Sequence, residues 1–136
     1  MRTISLLFTI LFAIGSNFSQ KNQTDCFKLL SADDFNLKLY QDNTVVIDVR
    51  ILKEYKRSRI PGAVSIPDKE TLVSFCNNLD VNATILVYCS DGYRSETASL
   101  ILCSELKYKN IYSLNRGLES WVDRGYDLDK TRFRNK

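Results

Sequence analysis

The sequence contains no histidine. That absence excludes a Ser-His-Asp triad, a Cys-His nucleophile pair, a mixed Cys/His zinc site and histidine general-base catalysis. Glycine and proline are sparse, at five and two of 136 residues, so collagen-like and low-complexity classes fall away. No Cys-x-x-Cys pair occurs, which excludes a thioredoxin-like oxidoreductase by spacing. A strong charge bias is missing too: 19 Lys+Arg against 16 Asp+Glu leaves +3, too little to argue for a nucleic-acid partner. Much of that surplus sits in a basic tail, residues 129–136, with Lys130, Arg132, Arg134 and Lys136, where a solvated terminus is expected.

What is present suits one globular domain. The chain is 44% hydrophobic and 26% charged, and single domains commonly run about 100–150 residues. No apolar run approaches the roughly 20 residues that cross a bilayer. The run from Ile4 to Ile14 follows Met1-Arg2-Thr3 and precedes a small and polar stretch, Gly15 to Gln20. It reads as an export signal over residues 1–19, cleaved near Ser19, rather than as a buried first strand. Cys26 follows polar residues, Asn22-Gln23-Thr24-Asp25, and not a lipoprotein box, so no membrane anchor is expected after cleavage. A periplasmic or secreted monomer is the expectation.

Export makes the four cysteines candidates for disulfides. Cys76 falls on a helical apolar face with Leu72, Phe75 and Leu79, and Cys103 lies beside Ala98, Ile101, Leu102 and Leu106. Both are expected as reduced core residues, and Cys26, with its polar flank, is the candidate for a structural disulfide.

Between residues 27 and 128, short β-branched runs alternate with amphipathic stretches, the pattern of an α/β domain with a mostly parallel sheet. Thr44–Ile47 and Thr84–Tyr88 are continuously apolar, as strands covered on both faces are. Weaker strands are predicted near Phe27–Leu30, Val64–Ile66 and Asn110–Tyr112. Helices are predicted from Ser31, which caps a segment turning Phe35 and Leu39 inward, over Lys69–Asn77, over Ser95–Leu106, and over Leu118–Arg124 before Gly125.

In such sheets ligands bind where strands end and helices begin. Two predicted strand ends carry polar chemistry: Asp48-Val49-Arg50, and Cys89 directly after Tyr88. The segment Cys89-Ser90-Asp91-Gly92-Tyr93-Arg94-Ser95 runs from strand to helix. Successive N–H groups of such a loop and the first turn of the helix form an anion cradle that favours the reactive thiolate without a histidine. Arg94 adds a fixed cation with a planar donor fork.

Four features in order resemble the single-domain rhodaneses, the sulfurtransferase fold: Asp48-Val49-Arg50 with Glu54-Tyr55, Ile60-Pro61-Gly62-Ala63 leading to Ile66-Pro67, the loop Cys89 to Ser95, and Gly117-Leu118-Glu119-Ser120-Trp121. The resemblance covers residues 27–128. It implies a central five-stranded, mostly parallel sheet with helices on both faces. It implies that Cys89 is the nucleophile, taking a sulfane sulfur from thiosulfate or a related donor as a persulfide and passing it to a thiol or cyanide. The loop N–H groups from Ser90 to Ser95 would hold that persulfide, with no metal and no organic cofactor. By the same likeness Asp48, Arg50 and Glu54 become supporting groups and not chemistry, whereas from their residue types alone a surface salt-bridge cluster is the reading to expect.

The sequence departs from the family pattern where Ser58 and Arg59 replace a Gly-His pair, where Arg116 replaces the first of two adjacent glycines, and where Asp91 puts a carboxylate inside the cradle. Asp91 reads as a turn former; pointing inward, it would repel a dianion. Competing readings are a non-catalytic binding module on the same fold, a redox role for Cys89, and a cysteine phosphatase or arsenate reductase. The last uses Cys-x5-Arg, whereas four residues separate Cys89 from Arg94 here.

Overall fold

A computed structural model describes residues 26–130. The expected signal segment and residues 131–136 of the tail lie outside the described residues. Five strands, β1 (Lys28–Leu30), β2 (Thr44–Asp48), β3 (Val64–Ser65), β4 (Thr84–Tyr88) and β5 (Ile111–Leu114), alternate with five helices, α1 (Ala32–Leu39), α2 (Leu52–Arg57), α3 (Lys69–Cys76), α4 (Tyr93–Leu100) and α5 (Gly117–Asp123). The strands lie in the order β1-β5-β4-β2-β3, and every pairing is parallel.

The continuous apolarity of β2 and β4 has a simple cause, since successive side chains enter two different cores. Ile85, Val87 and Cys89 point to one side, among Ile47, Val49, Leu72, Ala98 and Leu102. Leu86 and Tyr88 point to the other, among Phe35, Val46, Leu114, Leu118 and Trp121. There the Phe35 and Trp121 rings meet edge to face at 6.2 Å. Each such fully buried apolar side chain contributes about 1.5–3 kcal/mol. Ser31 caps α1 by accepting the Asp34 N–H at 3.1 Å, and Asp68 caps α3 by accepting the Thr71 N–H at 2.8 Å.

The topology places the site. From β2 the chain moves outward to β3, then returns to β4 on the other side of β2 and continues to β5. The carboxyl ends of β2 and β4 therefore border the crevice where strand order reverses. Asp48-Val49-Arg50 leaves one of those ends and Cys89 leaves the other.

Several expectations need correction. Cys103 is not a reduced core thiol but is joined to Cys26, while Cys76 and Cys89 are free and buried. Periodicity identified Cys103 as buried, which holds at 9% exposure, but could not show that the segment before β1 returns to meet it. The helix predicted over Ser95–Leu106 starts two residues earlier, and Ile101–Glu105 widens into a π-helical turn, with the Leu106 N–H donating to the Ile101 carbonyl at 3.1 Å. Helix α2 has no buried residue and thus no apolar face to announce it. Asp129, assigned to the solvated tail, exchanges two 2.9 Å backbone bonds with Arg59.

Candidate active site

Strand β4 ends at Tyr88, and the next residue, Cys89, is fully buried at the carboxyl edge of the sheet. The loop then turns at Gly92, whose φ of +108° is open to glycine at little cost, and enters α4 at Tyr93. This turn aims the Gly92 N–H at the Cys89 Sγ, 3.1 Å away. The thiol faces the Asp91 Oδ1 and the Ser95 Oγ, each at 3.6 Å. Ser95 is itself fixed, donating to the Gly92 carbonyl at 2.8 Å and accepting from the Ser113 hydroxyl at 2.9 Å.

The cradle predicted from the loop is thus only partly directed at sulfur. The Tyr93 N–H is taken by the Asp91 Oδ1 at 3.2 Å. Arg94 reaches across the loop, donating to the Ser90 Oγ at 3.2 Å with its guanidinium 3.7 Å from the Glu54 carboxylate. Ser90 donates in turn to the Glu54 Oε1 at 3.0 Å. Glu54 is therefore part of the loop's rim and not a detached surface charge.

Helix α5 closes the loop from behind. The Leu118 N–H donates to the Cys89 carbonyl at 2.8 Å and the Glu119 N–H to the Ser90 carbonyl at 3.2 Å. So close an approach requires glycine at position 117, where φ is +55° and a Cβ would stand 2.7 Å from the Ser90 carbonyl carbon. Arg116 just before it has a φ of +59°. That left-handed conformation explains why a glycine suits this position in the resembling family; here Arg116 pairs with Asp123 at 3.1 Å.

Asp48 and Arg50 do not reach the thiol, because Tyr88 and Cys89 point to opposite sides of the sheet. Nor do they form a surface cluster: their exposures are 0% and 4%. Arg50 grips Asp48 through Nε at 3.0 Å and Nη2 at 2.7 Å, and donates to the Ser58 carbonyl at 2.6 Å. Tyr88 donates to the same carboxylate at 2.7 Å and accepts the Ile60 N–H at 3.0 Å. This network binds the chain from 58 to 60 under the sheet edge that carries Cys89. Burial, then the neighbouring Asp48 carboxylate, push the Tyr88 hydroxyl above the ordinary phenol range. Arg59, at the histidine position of the family pattern, stacks on the Tyr55 ring at 4.8 Å.

Reasoning from sequence missed Tyr88 and Ser113 as members of the site's support. Ser113 left one signal, a hydroxyl in the otherwise apolar strand Ile111–Leu114. Beside the loop, a groove of about 290 Å³ is bounded by Val49, Ile66, Pro67, Leu72, Ala98 and Ile101. It meets the loop at Arg94, and Cys89 does not line it. Among the described residues no group of three or more His, Cys, Asp or Glu side chains is placed to hold a metal ion.

Comparison with known proteins agrees with this geometry. The chain is 33% identical over 95 residues to the thiosulfate sulfurtransferase of Pseudomonas entomophila, covering 70% of this chain and 84% of the relative. It is 29% identical over 109 residues to a putative sulfur carrier protein of Bacillus subtilis, covering 79% of this chain and 57% of the relative. In structure it matches a thiosulfate sulfurtransferase from Pseudomonas aeruginosa with a TM-score of 0.70 at 24% identity, over 79% of this chain and 21% of that one. A rhodanese-like domain from Anabaena matches with a TM-score of 0.67 at 21% identity, over 75% of this chain and 78% of that one. The family model for the rhodanese-like domain spans residues 31–124, from the cap of α1 to the end of α5, and the chain belongs to that family.

Proposed function

We propose that the protein is a sulfurtransferase that carries a sulfane sulfur on Cys89. The observation that carries this reading is the buried thiol at a strand end, with the Gly92 N–H 3.1 Å from its sulfur. The Cys89 thiolate attacks the outer sulfur of a small donor, and the rest of the donor leaves with the bonding electrons. An acceptor thiolate or cyanide then takes the outer sulfur, returning Cys89 to its thiolate. The Gly92 N–H stabilises negative charge on the Cys89 sulfur before attack and again when the outer sulfur is passed on. Membership in the family and the resemblance to a thiosulfate sulfurtransferase support the assignment.

The loop argues against phosphatase chemistry. Arg94 donates to Ser90 and pairs with Glu54 at the loop's rim, and four residues separate it from Cys89 where a Cys-x5-Arg loop has five. Export, as expected from residues 1–19, is supported by the Cys26–Cys103 disulfide, since disulfides persist in oxidising compartments.

The test is intact-mass spectrometry of the folded chain after exposure to thiosulfate and, separately, to an organic persulfide, beside a Cys89→Ser variant. The expected result is a gain of one sulfur on the parent alone, removed by cyanide or a small thiol. No gain from either donor, with Cys89 accessible to alkylation, would sink the assignment and favour a binding module.

A further inference from the structure

Resting on the sulfurtransferase reading, we propose that Asp91 sets the donor class, turning Cys89 away from dianionic thiosulfate and toward organic persulfides. The thiol is buried, whereas Asp91 is exposed and holds its Oδ1 3.6 Å from Sγ. A sulfur bonded to Sγ lies about 2 Å from it. The transferred sulfur therefore cannot stand more than about 6 Å from that carboxylate oxygen in the position observed.

The loop's own N–H groups and cation are in part already engaged. Asp91 takes the Tyr93 N–H that would otherwise be open to an anion. Arg94, the cation of the loop, has the Glu54 carboxylate 3.7 Å from its guanidinium. Glu54 thus offsets part of the Arg94 charge, while the Asp91 carboxylate stands 3.6 Å from the sulfur. Thiosulfate brings two negative charges to that entrance, and its leaving group is sulfite, also an anion.

An organic persulfide avoids this conflict. The Cys89 thiolate attacks the outer sulfur of R–S–SH, the Sγ–S bond forms as the bond between the two donor sulfurs breaks, and RS⁻ leaves with the electron pair. The proton stays on the transferred sulfur, and no oxidant or reductant is required. The group R can lie in the apolar groove between Val49, Ile66 and Ala98, which reaches the loop at Arg94.

The test compares the parent with Asp91→Asn, nearly equal in shape but uncharged, by rapid-quench mass spectrometry of Cys89 sulfuration. The donors are thiosulfate and the persulfide of 2-mercaptoethanol. Removing one negative charge about 6 Å from a dianion in a water-like medium should raise the thiosulfate rate constant about tenfold, and a monoanion's about threefold or less. Added salt should speed the parent's thiosulfate reaction by screening the repulsion, and this dependence should flatten in Asp91→Asn. Equal changes for both donors, a slower reaction with both, or a parent thiosulfate rate that does not rise with salt would overturn the role of Asp91. The salt series uses the parent alone, so it decides even if the variant fails to fold. A parent that takes sulfur from neither donor refutes the sulfurtransferase reading itself.

Discussion

Removing the Cys26–Cys103 disulfide asks how the domain's first strand is held in place. The bond joins cysteines 77 positions apart, enclosing everything from β1 to the π-helical turn. For a loop of that length the chain-entropy estimate is about 4.5 kcal/mol at 25 °C. The local structure gives little else to retain β1, which is three residues long and pairs with β5 alone. Set against a total stability of about 5–15 kcal/mol for a domain, the loss should be severe. The assay is urea unfolding of Cys26→Ser/Cys103→Ala, followed by the fluorescence of Trp121, the single tryptophan, 1% exposed. With a slope of about 1.5 kcal/mol per molar, the midpoint should fall by about 3 M. A variant whose midpoint stays within about 0.5 M of the parent's would refute the loop-closure reasoning.

Other outcomes follow from the site and its support. Tyr88→Phe leaves the buried Ile60 N–H without its partner and takes one of the donors from Asp48 Oδ2, which Arg50 still holds, so chemical denaturation should show a loss of about 1–3 kcal/mol. Because the fold raises the Tyr88 pKa, its stabilising contribution is complete below the unfolded value of about 10 and drains away as pH rises beyond it. Thermal melts from pH 9 upward should therefore fall more steeply for the parent than for Tyr88→Phe, and parallel curves would contradict this. Gly117→Ala would press a Cβ against the Ser90 carbonyl carbon and the Asp91 N, at 2.7 and 2.8 Å. The displaced loop should load sulfur about a hundredfold more slowly with helical content retained, and an unchanged rate would show that the loop tolerates the shift.

Much of the fold was legible because each signal was local. Thr44–Ile47 and Thr84–Tyr88 announced buried strands by unbroken apolarity, and Ser31 announced α1 by a cap that α1 uses. The place of Cys89 was legible as a thiol at a strand end before a turn and a helix. What escaped was decided at a distance. Cys103 meets Cys26 across a sequence separation of 77, and helical periodicity carries no trace of that partner. Asp48 and Arg50 looked like surface charges because Lys, Arg and Asp usually are; their burial follows from Tyr88 and the Ser58 carbonyl closing over them. The inward position of Asp91 depended on how the loop turns at Gly92, which residue types alone leave open.

The two bonds from α5 to the loop have a consequence in time as well as in space. Cys89 and its turn leave the ribosome before Leu118 and Glu119, whose N–H groups hold the Cys89 and Ser90 carbonyls. Strand β1, made first, likewise waits for β5 before it has any neighbour in the sheet. A growing chain therefore presents Cys89 before its loop can be held, and the loop takes its described shape only when α5 docks. The shape of the Cys89 loop is in this way tied to synthesis of α5, and a chain truncated before Gly117 would carry Cys89 without the two bonds that hold its loop.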